Sequence, residues 1–192
     1  FNRLRIIDFI EGRDLDSHAD ISNELLRNVG LTVAKFTMAM ADFYHPAANR
    51  SHRWDLARAD QHANCSSLIE PGRRRRLLEW AFLQWRQHGP DYLDELPWQF
   101  IHGDMNPENL MVQDNRITGI VDFGDACMNP AVCELAICLA YLMTGTSSPN
   151  MVADEVIESY QSVRPLSDLE QKVLMPLVCG RLAVTISMAN QR

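Results

Sequence analysis

The segment His102-Gly103-Asp104-Met105-Asn106-Pro107-Glu108-Asn109 is followed, thirteen residues after Asn109, by Asp122-Phe123-Gly124-Asp125. Each acidic or amide group in it stands just beyond a short run of strand type, where a stiff backbone can aim a side chain into a cleft. The chemistry that needs such a set is phosphoryl transfer. It asks for one carboxylate to hold and deprotonate an accepting hydroxyl, and for hard oxygen ligands that keep magnesium against the phosphates. By type and position Asp104 suits the first task, and Asn109 and Asp122 the second, with Gly124 expected to let the chain turn sharply after the metal ligand. Seven fixed residues at this spacing arise by chance in about one chain per million at average residue usage. If Asp104 and Asp122 merely capped turns, that coincidence would have no account. His102, two residues before the carboxylate, either meets a substrate or packs inward and bonds the loop backbone.

Three strand-type runs must position these groups: Trp98 to Ile101, Leu110 to Val112 and Ile117 to Val121, the last two joined by the hairpin signal Gln113-Asp114-Asn115-Arg116. Around them the pattern is helical. Leu25, Val29, Val33, Phe36, Met40 and Phe43 form one stripe between Ile21 and Tyr44, with Asp20 as the expected N-cap. Residues 45–70 read as a long connection with short helical pieces. Pro71-Gly72 opens a helix to about His88 that should turn Leu77, Leu78, Trp80, Ala81 and Trp85 inward and leave Arg73 to Arg76 solvated. Pro130 should start another, with Val132, Leu135, Ala136, Leu139 and Leu142 on one face, and Val152 to Tyr160 and Asp168 to about Met188 complete the set. The chain opens on a strand-like run, Leu4 to Ile10, and a turn, Glu11 to Asp14. Strand, helices, small sheet, helices: the order predicts a mainly helical α+β fold.

The chain has 192 residues, 46% hydrophobic and 22% charged, the make-up of one globular domain. Asp and Glu outnumber Lys and Arg by 25 to 18, for a net charge of -7, which argues against a protein that binds nucleic acid by neutralising phosphates. No apolar run of the roughly 18 residues that span a bilayer and no signal peptide stand out, so no membrane partner and a cytoplasmic location are expected. The five cysteines lack any C-x-x-C pair, and buried free thiols are expected rather than disulfides or zinc. Because Phe1 leads straight into a strand, which needs partners, a fragment is expected.

The spacing Asp-x-x-x-x-Asn, a strand pair, then Asp-Phe-Gly is that of the catalytic and metal loops of protein kinases. Two departures stand out: Gly103 occupies the place of the kinase Arg, and Pro130, five residues after Asp125, leaves no room for an activation loop. Both favour a small-molecule acceptor. H-G-D-x-x-x-x-N with I-V-D-F-G-D resembles the aminoglycoside phosphotransferase and choline kinase superfamily, and most of all its hydroxylysine kinase branch. The A-V-C-E-L-A-I helix, the R-W-D-L stretch, P-L-S-D-L-E and V-C-G-R-L are also similar.

The resemblance implies a protein-kinase-like fold in which residues 13–192 form the carboxy-terminal lobe. Residues 1–12 would then be the last strand of a missing amino-terminal lobe and the hinge, where Asp8, Phe9 and Ile10 meet the nucleobase of ATP or GTP. Asp104 matches the base, Asn109 and Asp122 the Mg2+ ligands, and Asp125 a second acidic residue of the metal loop. The missing lobe would supply a phosphate-covering loop and a lysine, since Lys35 and Lys172 both follow the hinge. The acceptor would be the hydroxyl of a small amine or amino acid, cationic in view of the net charge, with Glu134 either touching it or facing solvent. Alternatives are another small-molecule kinase (aminoglycoside, homoserine, choline or ethanolamine) and a non-catalytic binding module of kinase ancestry. A two-metal hydrolase would leave Asn109 without a role.

Overall fold

The computed structural model describes residues 8–18 and 20–190. Of the strand expected at Leu4 to Ile10, residues 4–7 lie outside the described residues. Asp8 to Ile10 are not a strand; Phe9 is exposed, and the Ile10 side chain lies over Gly119.

Two small antiparallel sheets carry the site. One has the order β1-β3-β4, from Arg13–Asp14, Leu110–Gln113 and Arg116–Ile120; the other pairs β2, Trp98–Ile101, with β5, Cys127–Pro130. The β3–β4 turn places Asp114 and Asn115 at φ 50° and 61°, the two left-handed positions of a type I′ hairpin, where short polar side chains are tolerated. Strand β5 was not expected. Cys-Met-Asn-Pro has no clear alternation, and its Pro130 reads as a helix start. In the fold Pro130 is instead the last residue of the strand, opposite Trp98, and the N–H of Ala131 bonds the Pro97 carbonyl at 2.9 Å before the helix begins at Val132.

The chain thus passes twice between the same two sheets. Residues 102–109 lead from β2 to β3, and residues 121–126 lead from β4 back to β5. Because β2 pairs with β5 and β3 with β4, the two connections must run side by side.

Among the described residues six α-helices surround them: α1 Asn23–Ala39, α2 Arg73–His88, α3 Pro90–Leu93, α4 Val132–Leu142, α5 Pro149–Gln161 and α6 Asp168–Ala189. Helix α1 is capped by Ser22, whose hydroxyl accepts from Leu25 N–H at 3.1 Å, not by Asp20. It ends at Ala39, so Phe43 lies beyond it, half-exposed. On α2 the buried stripe is Leu78, Phe82 and Trp85, spaced at four and three; Leu77 and Trp80 fall on its flanks and are more than half exposed because α2 is covered on one side only, by α6 and the connector before it. Residues 45–70 contain two 3-10 pieces, Pro46–Ala48 and Leu56–Leu68, the second bent at Arg58. All five cysteines are free, four of them buried.

Helix α4 is buried over its whole length except Tyr141, and it packs against α6. Helix α6 carries the capping box Ser167/Glu170, and contrary to expectation it is long and apolar enough to cross a membrane by length and composition. Glu170, Lys172 and Arg181 break the run in the sequence; in the fold the helix packs on α2, α4 and the Leu56–Leu68 segment.

Helices α1 and α5 cross at Gly30, where a Cβ would lie 2.1 Å from Ser159 Oγ and 2.3 Å from the Val156 carbonyl. Since one of those neighbours is backbone, a side chain must push the helices apart. Gly30→Val should destabilise the chain by about 3 kcal/mol, the upper part of the overpacking range, as read from urea unfolding; a loss under about 1 kcal/mol would show that this crossing is not close-packed.

Candidate active site

The side-by-side loops are tied by backbone first. Val121 N–H donates to the Asn109 carbonyl at 3.0 Å, and His102 Nε2 bonds the Val121 carbonyl at 2.8 Å. His102 is fully buried and bridges the loops: its Nδ1 accepts from Asp104 N–H at 3.2 Å, which leaves Nε2 as the protonated nitrogen that donates to Val121. Burial lowers the pKa of His102, more than its carbonyl partner and the nearby carboxylates raise it. The neutral ring is therefore the working form, and it packs edge-on against Phe123 (4.7 Å between centroids) and Phe36 (6.3 Å). Of the two roles open to His102 in the sequence, its contacts serve the backbone.

Gly103 explains its own identity. It has φ +78°, and a Cβ there would lie 2.6 Å from the Asp125 carbonyl, so the loops can approach this closely only over glycine.

Asp104 is anchored on both oxygens. Oδ1 accepts from Arg181 Nη2 at 2.6 Å; Oδ2 accepts from Asn106 Nδ2 and Asn109 Nδ2, each at 3.0 Å. Asn109 Nδ2 also reaches the Asp104 carbonyl at 2.8 Å. Both of its partners are acceptors, so its amide nitrogen must face Asp104, and its carbonyl oxygen is the end available to a ligand.

Asp122 is exposed and is itself the left-handed residue of its loop (φ 59°, ψ 70°), a role expected of Gly124. Its Oδ1 accepts from Gly124 N–H at 3.1 Å, and a Cβ on Gly124 would sit 2.9 Å from that oxygen. Such a backbone costs about 1–2 kcal/mol and is held by its surroundings. Arg50 is one of them, donating to the carbonyls of Gly124 and, at 3.1 Å, Ala126. Asp125 faces His52, Nδ1 to Oδ1 3.7 Å.

The amide oxygen of Asn109 and the carboxylate of Asp122 are hard donors that suit magnesium. Among the described residues no three His, Cys, Asp or Glu side chains gather as a closed metal cage. That accords with an ion that takes one or two protein ligands and completes its shell with phosphate and water oxygens.

Glu134 requires correction. Neither a substrate contact nor solvent-facing, it is fully buried beneath the loop of residues 102–109, where Oε2 accepts from His102 N–H at 2.5 Å; Oε1 has no hydrogen-bond partner among the described residues. Burial pushes its carboxyl up to about 7, although the N–H groups of His102 and Gly103 and the charge of Arg181 pull it down.

Beside Asp104 opens a cavity of about 380 Å³, lined by Asp16, Trp54, Asn106, Glu108, Asp125, Tyr141 and Arg181 among others. Sequence reasoning missed Arg181, Trp54, Tyr141, Asp16 and Arg50. For Arg181 a signal existed: it falls in register with Leu174, Leu177, Val184 and Met188 on α6, and a charge on a buried stripe demands a partner.

Residues 2–167 match the phosphotransferase enzyme family (APH), and the chain belongs to that family. Hydroxylysine kinase of Mus musculus is 27% identical over 199 residues, covering 97% of this chain and 53% of the relative. Homoserine kinase of Nitrobacter winogradskyi is 30% identical over 158 residues, 79% of this chain and 46% of the relative. The chain thus spans about half the length of these relatives. A structure of amicoumacin kinase in complex with AMP-PNP and Ca2+ superimposes with a TM-score of 0.67 at 13% identity, covering 94% of this chain and 55% of that one. The fold is the protein-kinase-like fold of such phosphotransferases.

Glu134 yields a pH test. Its carboxyl titrates at about 7 when folded and near 4.5 when exposed, so between those values the folded chain holds a proton that the unfolded chain has lost. Stability must then fall as pH rises, by on the order of 1 kcal/mol per unit, and level off above the folded value. In denaturation series from about pH 5 to about pH 8, wild type should lose stability relative to Glu134→Gln until about pH 7. A difference between the two that does not change with pH would show that Glu134 does not titrate in this range.

Proposed function

We propose that the protein is a small-molecule kinase that moves the terminal phosphoryl group of ATP or GTP to the hydroxyl of a small amine or amino acid, with hydroxylysine-like acceptors the first candidates. The observation that carries this reading is Asp104: a carboxylate held on both oxygens at the edge of a cavity, with the Asn109 amide bonded directly to it. In the reaction the acceptor oxygen attacks the terminal phosphorus, the bond to the bridging oxygen breaks, the nucleoside diphosphate leaves, and the hydroxyl proton passes to Asp104. Asn109 and Asp122 would hold Mg2+, which when bound neutralises charge on the phosphate oxygens.

Four carboxylates, Asp16, Asp104, Glu108 and Asp125, line the cavity against one guanidinium, Arg181, which is already paired with Asp104. This balance, and the named relatives, favour a cationic acceptor. Lys35 is exposed on α1 and Lys172 donates to Tyr92 Oη at 2.7 Å; neither lines the cavity. We therefore assign the grip on the triphosphate to an amino-terminal lobe joined through Asp8, Phe9 and Ile10, which would meet the nucleobase. Four buried free thiols suit a cytoplasmic location.

Two substitutions in the full-length gene product test the roles. Asp104→Asn should lower turnover by about three orders of magnitude or more, roughly 4 kcal/mol of barrier, and near-normal turnover would remove Asp104 from the role of base. Asp122→Ala should abolish magnesium-dependent nucleotide binding in calorimetry; unchanged metal dependence would end its assignment as a ligand. Assays with ATP and GTP against 5-hydroxylysine, homoserine, ethanolamine and an aminoglycoside identify donor and acceptor, and transfer to none of them, or to no hydroxyl at all, contradicts the reading.

A further inference from the structure

Arg181 projects from the buried face of α6 and is 1% exposed, a placement that a guanidinium tolerates only when its donors and charge are matched. They are matched from three directions. Nη2 bonds Asp104 Oδ1 at 2.6 Å, Nη1 bonds the carbonyls of Trp54 at 3.2 Å and Gly103 at 3.4 Å, and Nε bonds Tyr141 Oη at 3.2 Å. The rings of Trp54 and Tyr141 lie 5.0 and 5.2 Å from the guanidinium carbon. The group is therefore immobile, and so is the oxygen it holds.

The lone pairs of Asp104 can be counted. Each carboxylate oxygen accepts two hydrogen bonds in its plane. Oδ2 receives Asn106 and Asn109 and is full; Oδ1 receives Arg181 alone. A single acceptor position is left on the carboxylate, on the oxygen that Arg181 fixes, and both residues line the cavity.

We propose that Arg181 is a positioning residue for phosphoryl transfer: it orients Asp104 so that one lone pair, on Oδ1, is left to take the proton of the acceptor hydroxyl. The proposal rests on the kinase reading above and adds which oxygen is the base and what aims it. Arg181 acts through Asp104, so its loss should damage the chemical step more than the binding of either substrate.

The experiment measures kcat and KM for donor and acceptor in the full-length gene product carrying Arg181→Lys, Arg181→Ala or Tyr141→Phe, with folding checked by thermal melts. Lysine keeps the charge and loses the fork, so Arg181→Lys should lower kcat about 10- to 100-fold with each KM within about threefold of wild type. Of the Arg181 donors Tyr141→Phe releases only Nε, along with the Thr185 hydroxyl that Tyr141 Oη meets at 3.2 Å, and it should lower kcat about three- to tenfold. Guanidinium at a sub-denaturing concentration should restore part of the kcat of Arg181→Ala, while urea at the same concentration should not. A rise in KM with kcat unchanged would make Arg181 a substrate-binding group and overturn the proposal, as would an undiminished kcat in Arg181→Lys. If Arg181→Lys does not fold, Tyr141→Phe decides, and wild-type kcat there overturns it. Wild-type protein that transfers phosphate to no hydroxyl would overturn the kinase reading itself, whereas an active wild type with active variants removes only Arg181.

Discussion

Everything in the site depends on two loops being held at one separation, and the link that sets it is the pair of bonds between the catalytic loop and Val121. His102 donates to the Val121 carbonyl, and Val121 N–H donates to Asn109. His102, two residues before the proposed base, and Val121, the residue before a proposed metal ligand, are thereby joined directly. Each loop has only one 3-10 turn of its own, Pro107–Asn109 and Phe123–Asp125, so each also supplies backbone partners to the other. The two sheets make this possible by fixing all four loop ends, two on each sheet. Shortening or lengthening either connection by a residue would break the register that lets Asn109 face Asp104 from one side and leave Asp122 open on the other.

Beneath the loops the fold spends buried charge, which a hydrophobic core ordinarily avoids. Glu134 on α4 accepts the N–H of His102, and Arg181 on α6 donates to the side chain of Asp104 and the carbonyls of Gly103 and Trp54. A loop that must present a carboxylate to a cavity cannot bury it, and cannot anchor itself by apolar packing alone. Polar groups reaching up from two rigid helices fix it instead, and the charges are matched locally: an acid against N–H donors, a guanidinium against a carboxylate and carbonyls. Helix α4 is buried along its length except at Tyr141, and Tyr141 is the residue through which it hydrogen-bonds the guanidinium.

Sequence carried the local rules of this fold and lost the ones set by tertiary neighbours. The hairpin was legible because Asp114-Asn115 is a turn signal that demands left-handed backbone, and the helices were legible because their stripes repeat. The inward face of α2 was misjudged at Leu77 and Trp80 because nothing in the sequence says that only one side of that helix is covered. Strand β5 was missed because Cys127–Pro130 gains its strand character only from pairing with Trp98–Ile101. Glu134 looked like a surface acid because glutamate is rarely buried, and only the loop's need for an acceptor reverses that rule. The motif residues were found by spacing; their anchors on distant segments, Arg181 and Arg50, share no spacing with them.

Gly103 carries the last step of the argument. In protein kinases an Arg precedes the base, and the ordering of a long activation loop governs whether the site is assembled. Here an Arg at 103 would need its Cβ within 2.6 Å of the Asp125 carbonyl, in a backbone conformation that disfavours side chains. The close approach that excludes it is the same contact that binds the two loops. Between Asp125 and β5 there is a single residue, Ala126, so no segment of activation-loop length follows Asp125. A cation is still required beside the carboxylate, and it arrives from α6 as Arg181, reaching Asp104 through the core and independently of anything in the loops. Where the kinase pattern has an arginine in the loop, this chain has one on a helix, so the cation that holds the Asp104 carboxylate comes from the packed core rather than from the loop.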